Sequence, residues 1–354
     1  MILALYIARH VLRGGLLALL VLTSIELLLT FAGELPDVGT GSYQYGDALL
    51  YTLLTAPRRA YDALPMAAVT GALVTLGELS QQNEFVVMRA AGVSTVRLTR
   101  AVLLGGMGLA LLALVLGEAV APYAEPEAQN LRSQAKHNSV SLRSQHGVWA
   151  RDGESFVNIR RVLPGQRLED ITIYEFDDGL RLRAVTRAAR AEFKDGHWLL
   201  GDIRQAQIGE DRIVNSRHPT AAWEAVINPD LINVLAVKAE QLSLPSLLRY
   251  LAYLRANGLD AEPYEFALWG KLMHPLATLV MLVFALPFVL APARGGGVGQ
   301  RLLIGILTGI GYLLFSRAAG HIGQVYDFSP LLSSVAPTLL FLAAGFAAMR
   351  YVRV

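Results

Sequence analysis

Charge is spread very unevenly along this chain, and that constrains its fold more than any motif does. Gly14 to Ile25, Ala101 to Gly117, Leu272 to Ala291 and Phe328 to Met349 contain no Lys, Arg, Asp or Glu. The block from Pro122 to about Pro263 is rich in all four. At ~1.5 Å rise per residue, apolar runs of this length approach the ~30 Å hydrocarbon core of a bilayer. The sequence therefore describes an integral membrane protein carrying an extramembrane domain.

Composition narrows the chemistry. Of 354 residues, 53% are hydrophobic and 17% charged, against about 25% charged in an average soluble domain. A net charge of +2 without a basic tract argues against nucleic acid. The absence of cysteine excludes disulfides, thiol catalysis and Cys-ligated metals. Arg9 and Arg13 before an apolar run resemble a signal peptide, but the run is long, carries Glu26 and lacks a small-x-small site at its end. It reads as a retained first helix.

Six spans are expected: Val11 to Gly33, Arg59 to Gly77, Ala101 to Val120, Ala267 to Ala291, Leu302 to Gly323 and Pro330 to Met349. Arg9, Arg13, Arg89, Arg97, Arg100, Arg294, Arg301, Arg350 and Arg353 cluster on one side of these spans. Glu34, Asp37, Asp47, Asp62 and Asp327 fall on the other, with Arg58 and Arg59 as exceptions. The positive-inside rule then puts both termini in the cytoplasm and the polar block outside. Within that block, Asp152-Gly153, Asp178-Gly179 and Asp195-Gly196 signal hairpin turns. Between them lie β-rich runs at Phe156 to Ile159, Ile171 to Tyr174, Leu180 to Leu182 and His197 to Leu200. This spacing suggests a sandwich, a jelly roll or an open β-roll. Ser243 to Asn257 reads as a helix with Leu244, Leu247, Leu248, Leu251 and Leu254 on one face, Ser243 as cap and Pro245 in the first turn.

No catalytic constellation emerges. There is no GxxxxGK[ST] loop, HExxH or GxSxG. The run Gly295 to Gly299 reads as a flexible connector, and His274 beside Pro275 as a hydrogen-bonded structural histidine. Intramembrane charge is more suggestive. Glu26, Glu118 and Arg317 either line a polar cavity or are accommodated locally, for instance as a Glu118–Arg317 pair, because a charge in lipid costs at least ~2.5 kcal/mol. Arg58 and Arg59 could receive phosphates or anchor a helix end. Gly305-x-x-x-Gly309 lets helices approach closely, within the chain or across to a partner.

The sharpest element is the loop between spans two and three. A short amphipathic helix is expected from about Gln81 to Ala91, ended by Gly92, with Glu84 and Arg89 available to a partner. An interfacial helix resting on lipid is the alternative. Here the chain resembles a known family. Glu84-Phe85-Val86-Val87-Met88-Arg89-Ala90-Ala91-Gly92 is similar to the coupling helix of the lipopolysaccharide export permeases, the LptF/LptG (YjgP/YjgQ) family. Gly41-Ser42-Tyr43, Tyr51 to Leu54, Pro65 to Ala68, Gly117 to Pro122 and Gly147 to Gly153 agree with its LptG branch.

The resemblance implies a polytopic α-helical membrane protein of six transmembrane helices with an inserted periplasmic β-jellyroll-like domain. Its parts would be spans one to three at 1–122 with a coupling helix at about 81–92, the β domain at 123–263, and spans four to six at 264–354. It implies a non-catalytic permease subunit of an ABC-type exporter in the inner membrane, extracting lipopolysaccharide for outer-membrane biogenesis. The partners would be an LptF-like permease, an LptB-like ATPase dimer and LptC-like and LptA-like periplasmic proteins. No cofactor is expected in this chain, ATP being used by the separate ATPase. Glu84, Phe85, Met88 and Arg89 would couple to that ATPase. Arg58, Arg59, Arg132, Lys136, Glu26, Phe31, Tyr312 and Arg317 would meet substrate, and Gly305, Gly309 and Tyr312 would form a gate with the partner. Where the family often carries lysines, this chain has Thr30, Glu34, Pro36 and Asp37. Two other classes remain: a membrane-anchored envelope scaffold or sensor, and an intramembrane lipid enzyme using Glu26, Glu118 and Arg317.

Overall fold

The computed structural model describes residues 2–137, 148–152, 155–163, 167–177, 181–194, 197–209, 212–223, 239–290 and 297–351. The chain separates into two compact units, one of Met1–Pro36, Ala48–Ala128 and Glu262–Val354, the other of Asp37–Asp47 and Gln129–Ala261. The first unit is helical, and among the described residues six helices are long and apolar enough to cross a membrane. The second carries the sheet.

Helix α1 spans Ile2–Glu34 and α2 spans Tyr45–Gln81, followed by the short α3, Glu84–Ala90. Helix α4, Thr95–Leu114, continues through a π-helical stretch at Val115–Val120 into α5, Ala121–His137. After the sheet come α6 (Leu244–Ala256), α7 (Glu262–Leu290), α8 (Val298–Val325) and α9 (Pro330–Tyr351). In the membrane unit α1 packs on α4, α4 on α7, and α7 on α9. The apolar core is centred on α2, whose Leu64, Ala67, Ala68, Val69, Ala72 and Leu76 are fully buried among α1, α4 and α7. Small side chains on α2 allow that crowding. The outer faces of α1 and α8 keep large apolar residues exposed, among them Leu17, Leu20, Leu28, Leu307 and Leu314. Such faces suit lipid or a neighbouring helix.

Helix α2 starts well before the expected Arg59 because Pro57 and Pro65 are both accommodated inside it. Arg58 and Arg59 therefore sit within the helix, not at its start. In α6, Ser243 holds the cap position but makes no side-chain cap bond; its hydroxyl donates to Ser246 Oγ at 3.0 Å.

The second unit holds one six-stranded antiparallel sheet in sequential order: β1 (Val148–Asp152), β2 (Ser155–Leu163), β3 (Arg167–Phe176), β4 (Leu182–Lys194), β5 (His197–Ile208) and β6 (Ile213–Trp223). Three of the expected β runs fall inside β2, β3 and β5; most of β4 and all of β1 and β6 were not foreseen. The expected turn residues 153, 178–179 and 195–196 lie outside the described residues, although the strands flanking them are paired. Alternation, interrupted at Asp170 (φ 53°) and Asp202 (φ 55°), gathers Val157, Ile159, Leu168, Ile171, Ile173, Trp198, Leu200 and Ile203 into one apolar cluster.

Candidate functional site

Polar chemistry in the membrane unit collects where helices are interrupted. Pro65 has no N–H to offer the carbonyl of Tyr61, four residues earlier. His274 of α7 supplies the missing donor: its Nε2 lies 2.7 Å from that oxygen, and its ring stacks on Tyr61 at 4.0 Å. His274 is thus a structural hydrogen-bond donor, as its place beside Pro275 suggests. The π-helical stretch loosens the backbone ladder in the same manner. Lys271 Nζ donates to the carbonyl of Gly117 at 3.1 Å and to Glu118 Oε1 at 2.5 Å. The side chain of Lys271 is only 5% exposed, so its charge depends on these partners. The expected Glu118–Arg317 pair is therefore replaced by Glu118–Lys271. Lys271 escaped notice because 153 residues separate it from Glu118 and it stands alone beside an apolar run.

Arg58 bonds Asp62 through Nε at 3.3 Å and lies over the Tyr61 ring at 5.4 Å. Arg59, Asp62 and Arg317 all lie within electrostatic reach of the half-buried Glu26. Arg59 and Arg317 are exposed, and Phe31 is half-buried one turn beyond Glu26. The structure thus brings Glu26, Arg59 and Arg317 from three helices into one group, with Arg58 held beside them on α2. Such a group can receive an anionic headgroup, because guanidinium matches phosphate oxygens in a planar fork.

Arg132 and Lys136 belong to the second unit, where the segment after α1 clasps the end of α5. Asp37 accepts from Arg132 Nη2 at 3.1 Å and from Lys136 on the same oxygen. Lys136 also lies 5.2 Å above the ring of the buried Tyr43. The carbonyl of Ala135, left open at the helix end, accepts from Ser42 N and Ser42 Oγ. Gly41 has φ +62°, and a Cβ there would stand 2.6 Å from that oxygen, so glycine is required. Asp37 thus places a carboxylate on the two cations expected to meet phosphate.

The short helix α3 is separated from α2 by Asn83 at φ 60°. It closes with Gly92 at φ +86° and a bond from Val93 N to Met88 O, the geometry of a Schellman ending. Phe85 is 5% exposed within the membrane-unit core, and Met88 packs against the same core. These two residues were expected to touch an ATPase; Phe85 is buried in its own bundle, and Met88 is half-buried against the same core. The outward side chains are Val86 and Val87, 64% and 67% exposed. Glu84 accepts from Tyr6 OH of α1 at 3.2 Å. The signal for Val86 and Val87 was the apolar run itself: two of four consecutive apolar residues on a helix must point away from the core.

The expected gate residues also face inward. A Cβ on Gly309 would stand 2.2 Å from Met66 Cγ, and one on Gly305 2.7 Å from Thr70 Cα, so both seat α8 against α2 of the same chain. Tyr312 is buried, its hydroxyl 3.1 Å from Thr338 Oγ1 and its ring edge-on to Phe341. Close approach within the chain, of the two uses that small residues allow, is the one realised. Among the described residues no cluster of three or more His, Asp or Glu side chains is disposed to hold a metal ion.

Sequence comparison adds a separate line. Residues 5–351 match the family model described as lipopolysaccharide export system permease LptF/LptG. The chain is 34% identical over 339 residues to the lipopolysaccharide export system permease protein LptG of Escherichia coli K12, covering 95% of this chain and 94% of that protein. The Haemophilus influenzae protein of the same name is 30% identical over 339 residues, covering 95% of each chain.

Proposed function

The chain belongs to the LptF/LptG family of lipopolysaccharide export system permeases, and from that premise we propose how its residues serve export. It is an inner-membrane permease subunit. We place both termini in the cytoplasm and the sheet unit in the periplasm, which the arginine bias of the loops supports. The partners in this reading are an LptF-like permease, an LptB-like ATPase dimer that uses the ATP, and LptC-like and LptA-like proteins that receive the lipid. This chain carries no cofactor of its own.

Lipopolysaccharide leaves the outer face of the inner membrane through a cavity shared with the permease partner. Its phosphates meet Arg58, Arg59 and Arg317, the last two within electrostatic reach of Glu26, and Arg132 and Lys136 form a further basic group. Phe31 and the apolar helix faces receive acyl chains. Force arrives at α3. Because Phe85 is sunk in the bundle core, a push on Val86, Val87, Glu84 or Arg89 moves α3 and its helices as one body. The Tyr6–Glu84 hydrogen bond ties that movement to α1.

The family match across residues 5–351 carries this reading. Its test is purification of the wild-type chain and of Val87→Asp from membranes in mild detergent. Wild type is expected to bring down a nucleotide-binding subunit, and Val87→Asp to lose most of it while keeping its own melting temperature, since Val87 is exposed. Undiminished capture by Val87→Asp would remove α3 as the coupling surface. A wild-type chain that brings down no ATPase would remove the exporter reading itself.

A further inference from the structure

The sheet unit carries a basic surface that the export reading does not use. Strand register fixes it. Asn158 pairs with Thr172, Thr172 with Arg187, Arg187 with Arg204, and Arg204 with Arg217. Three arginines therefore stand directly opposite one another on β4, β5 and β6. Alternation turns this row away from the apolar cluster, since Ile171, Ala188 and Ile203 are its sequence neighbours on the other face.

Like charges directly opposite across strands destabilise a sheet, so such a row asks for an anion. All three arginines are exposed. Among the described residues no carboxylate pairs with Arg187, Arg204 or Arg217. Asp202 is engaged by Arg190 at 3.4 Å. The row does not lie on a flat surface. It lines a groove of about 660 Å³ together with Arg160, Asp170 and Asp202, the two aspartates standing two residues before Thr172 and Arg204 on their strands. That volume falls in the ~300–1,000 Å³ range of small-molecule sites. At ~4.8 Å between neighbouring strands, the outer two arginines are rooted roughly 10 Å apart, a span that suits a ligand with more than one phosphate.

We propose that this groove binds a phosphorylated saccharide headgroup, its phosphates taken by the Arg187–Arg204–Arg217 row. The choice of a saccharide rests on the export reading above; the anion site rests on the register alone. In this role the sheet unit holds the headgroup of the exported lipid on the face opposite its apolar cluster.

The experiment uses the full chain in phosphatidylcholine nanodiscs, which present no anionic lipid, on an Arg58→Ala/Arg59→Ala/Arg317→Ala/Arg132→Ala/Lys136→Ala background that takes the other basic groups out of the titration. Three probes are titrated calorimetrically: a bisphosphorylated glucosamine disaccharide without acyl chains, its dephosphorylated form, and inorganic phosphate. The bisphosphorylated disaccharide is expected to bind best. Arg187→Ala/Arg204→Ala is expected to weaken it about a hundred-fold, since each charged hydrogen bond lost is worth roughly a decade of affinity. Arg204→Lys, which keeps the charge but not the planar fork, should fall between. Disaccharide binding unchanged in both variants would overturn the site. Equal affinity for inorganic phosphate would assign the groove to free phosphate and overturn the headgroup. A reconstituted complex that exports normally while its groove binds no disaccharide fails this inference alone; one that releases no lipid with ATP fails the export reading instead.

Discussion

The helical unit and the sheet unit treat charge in opposite ways. Inside the helical unit, Lys271 is 5% exposed and held by Glu118 and the Gly117 carbonyl. On the sheet, Arg187, Arg204 and Arg217 stand side by side in the open. The difference follows from the surrounding medium. An ion in a low-dielectric interior loses several kcal/mol of hydration and persists only with partners. Three arginines on a wet strand face repel one another weakly and keep their hydration. A paired buried charge is therefore evidence about folding, whereas an exposed row with no carboxylate partner among the described residues is evidence about binding.

The hardest test of this contrast is Lys271→Met. It leaves Glu118 opposite a thioether beside a π-helical stretch. Removing one member of a buried pair costs about 3–5 kcal/mol, and the 28% exposure of Glu118 puts the expected loss near the lower end. Thermal melting in detergent should show a marked fall. Lys271→Met/Glu118→Leu should recover most of it, because both charges of the pair have then gone. A single variant as stable as wild type would mean that water reaches the pair and that the interior is not dry there.

How far these features could be read from sequence depends on the kind of order involved. The spans were legible because lipid excludes unpaired charge, so uncharged runs announce themselves. The end of α3 was legible because Gly92 adopts φ +86°, a conformation other residues avoid. The start of α2 was not: the expected span begins at Arg59, whereas the helix runs on through Pro57 back to Tyr45. Lys271 with Glu118 was not, because nothing in either segment encodes a contact across 153 residues. The inward roles of Phe85 and Gly309 needed the neighbouring helix in place. The arginine row needed register: alternation assigns each arginine a face, but only the pairing aligns Arg187, Arg204 and Arg217.

Between the two extremes lies the Asp37 clasp, a charge group half open to solvent. Asp37→Ala should leave the unit folded, because Ser42 still bonds Ala135 and Tyr43 stays buried. The effect should be local and smaller than that of Lys271→Met. Hydrogen exchange at the Ser42 amide should quicken while amides in β3 to β5 stay protected. Unchanged exchange at Ser42 would show that the clasp stands without its ion pairs. Loss of protection throughout the sheet would show that Asp37 supports far more than this segment.

The smallest effect should have the opposite sign. Arg204 has a like charge directly opposite on each side, and it stands on a strand where a β-branched residue fits well. Arg204→Thr should therefore stabilise the sheet unit, by about 0.2–1 kcal/mol. The gain should shrink as salt is raised, because screening already weakens the repulsion in wild type. Denaturant melting of the full chain, followed through Trp198 in the sheet core, measures it at low and high ionic strength. A structural arginine would give the reverse result, a loss of stability indifferent to salt. A gain in stability at the expense of anion binding is what separates a surface kept for a ligand from one kept for the fold.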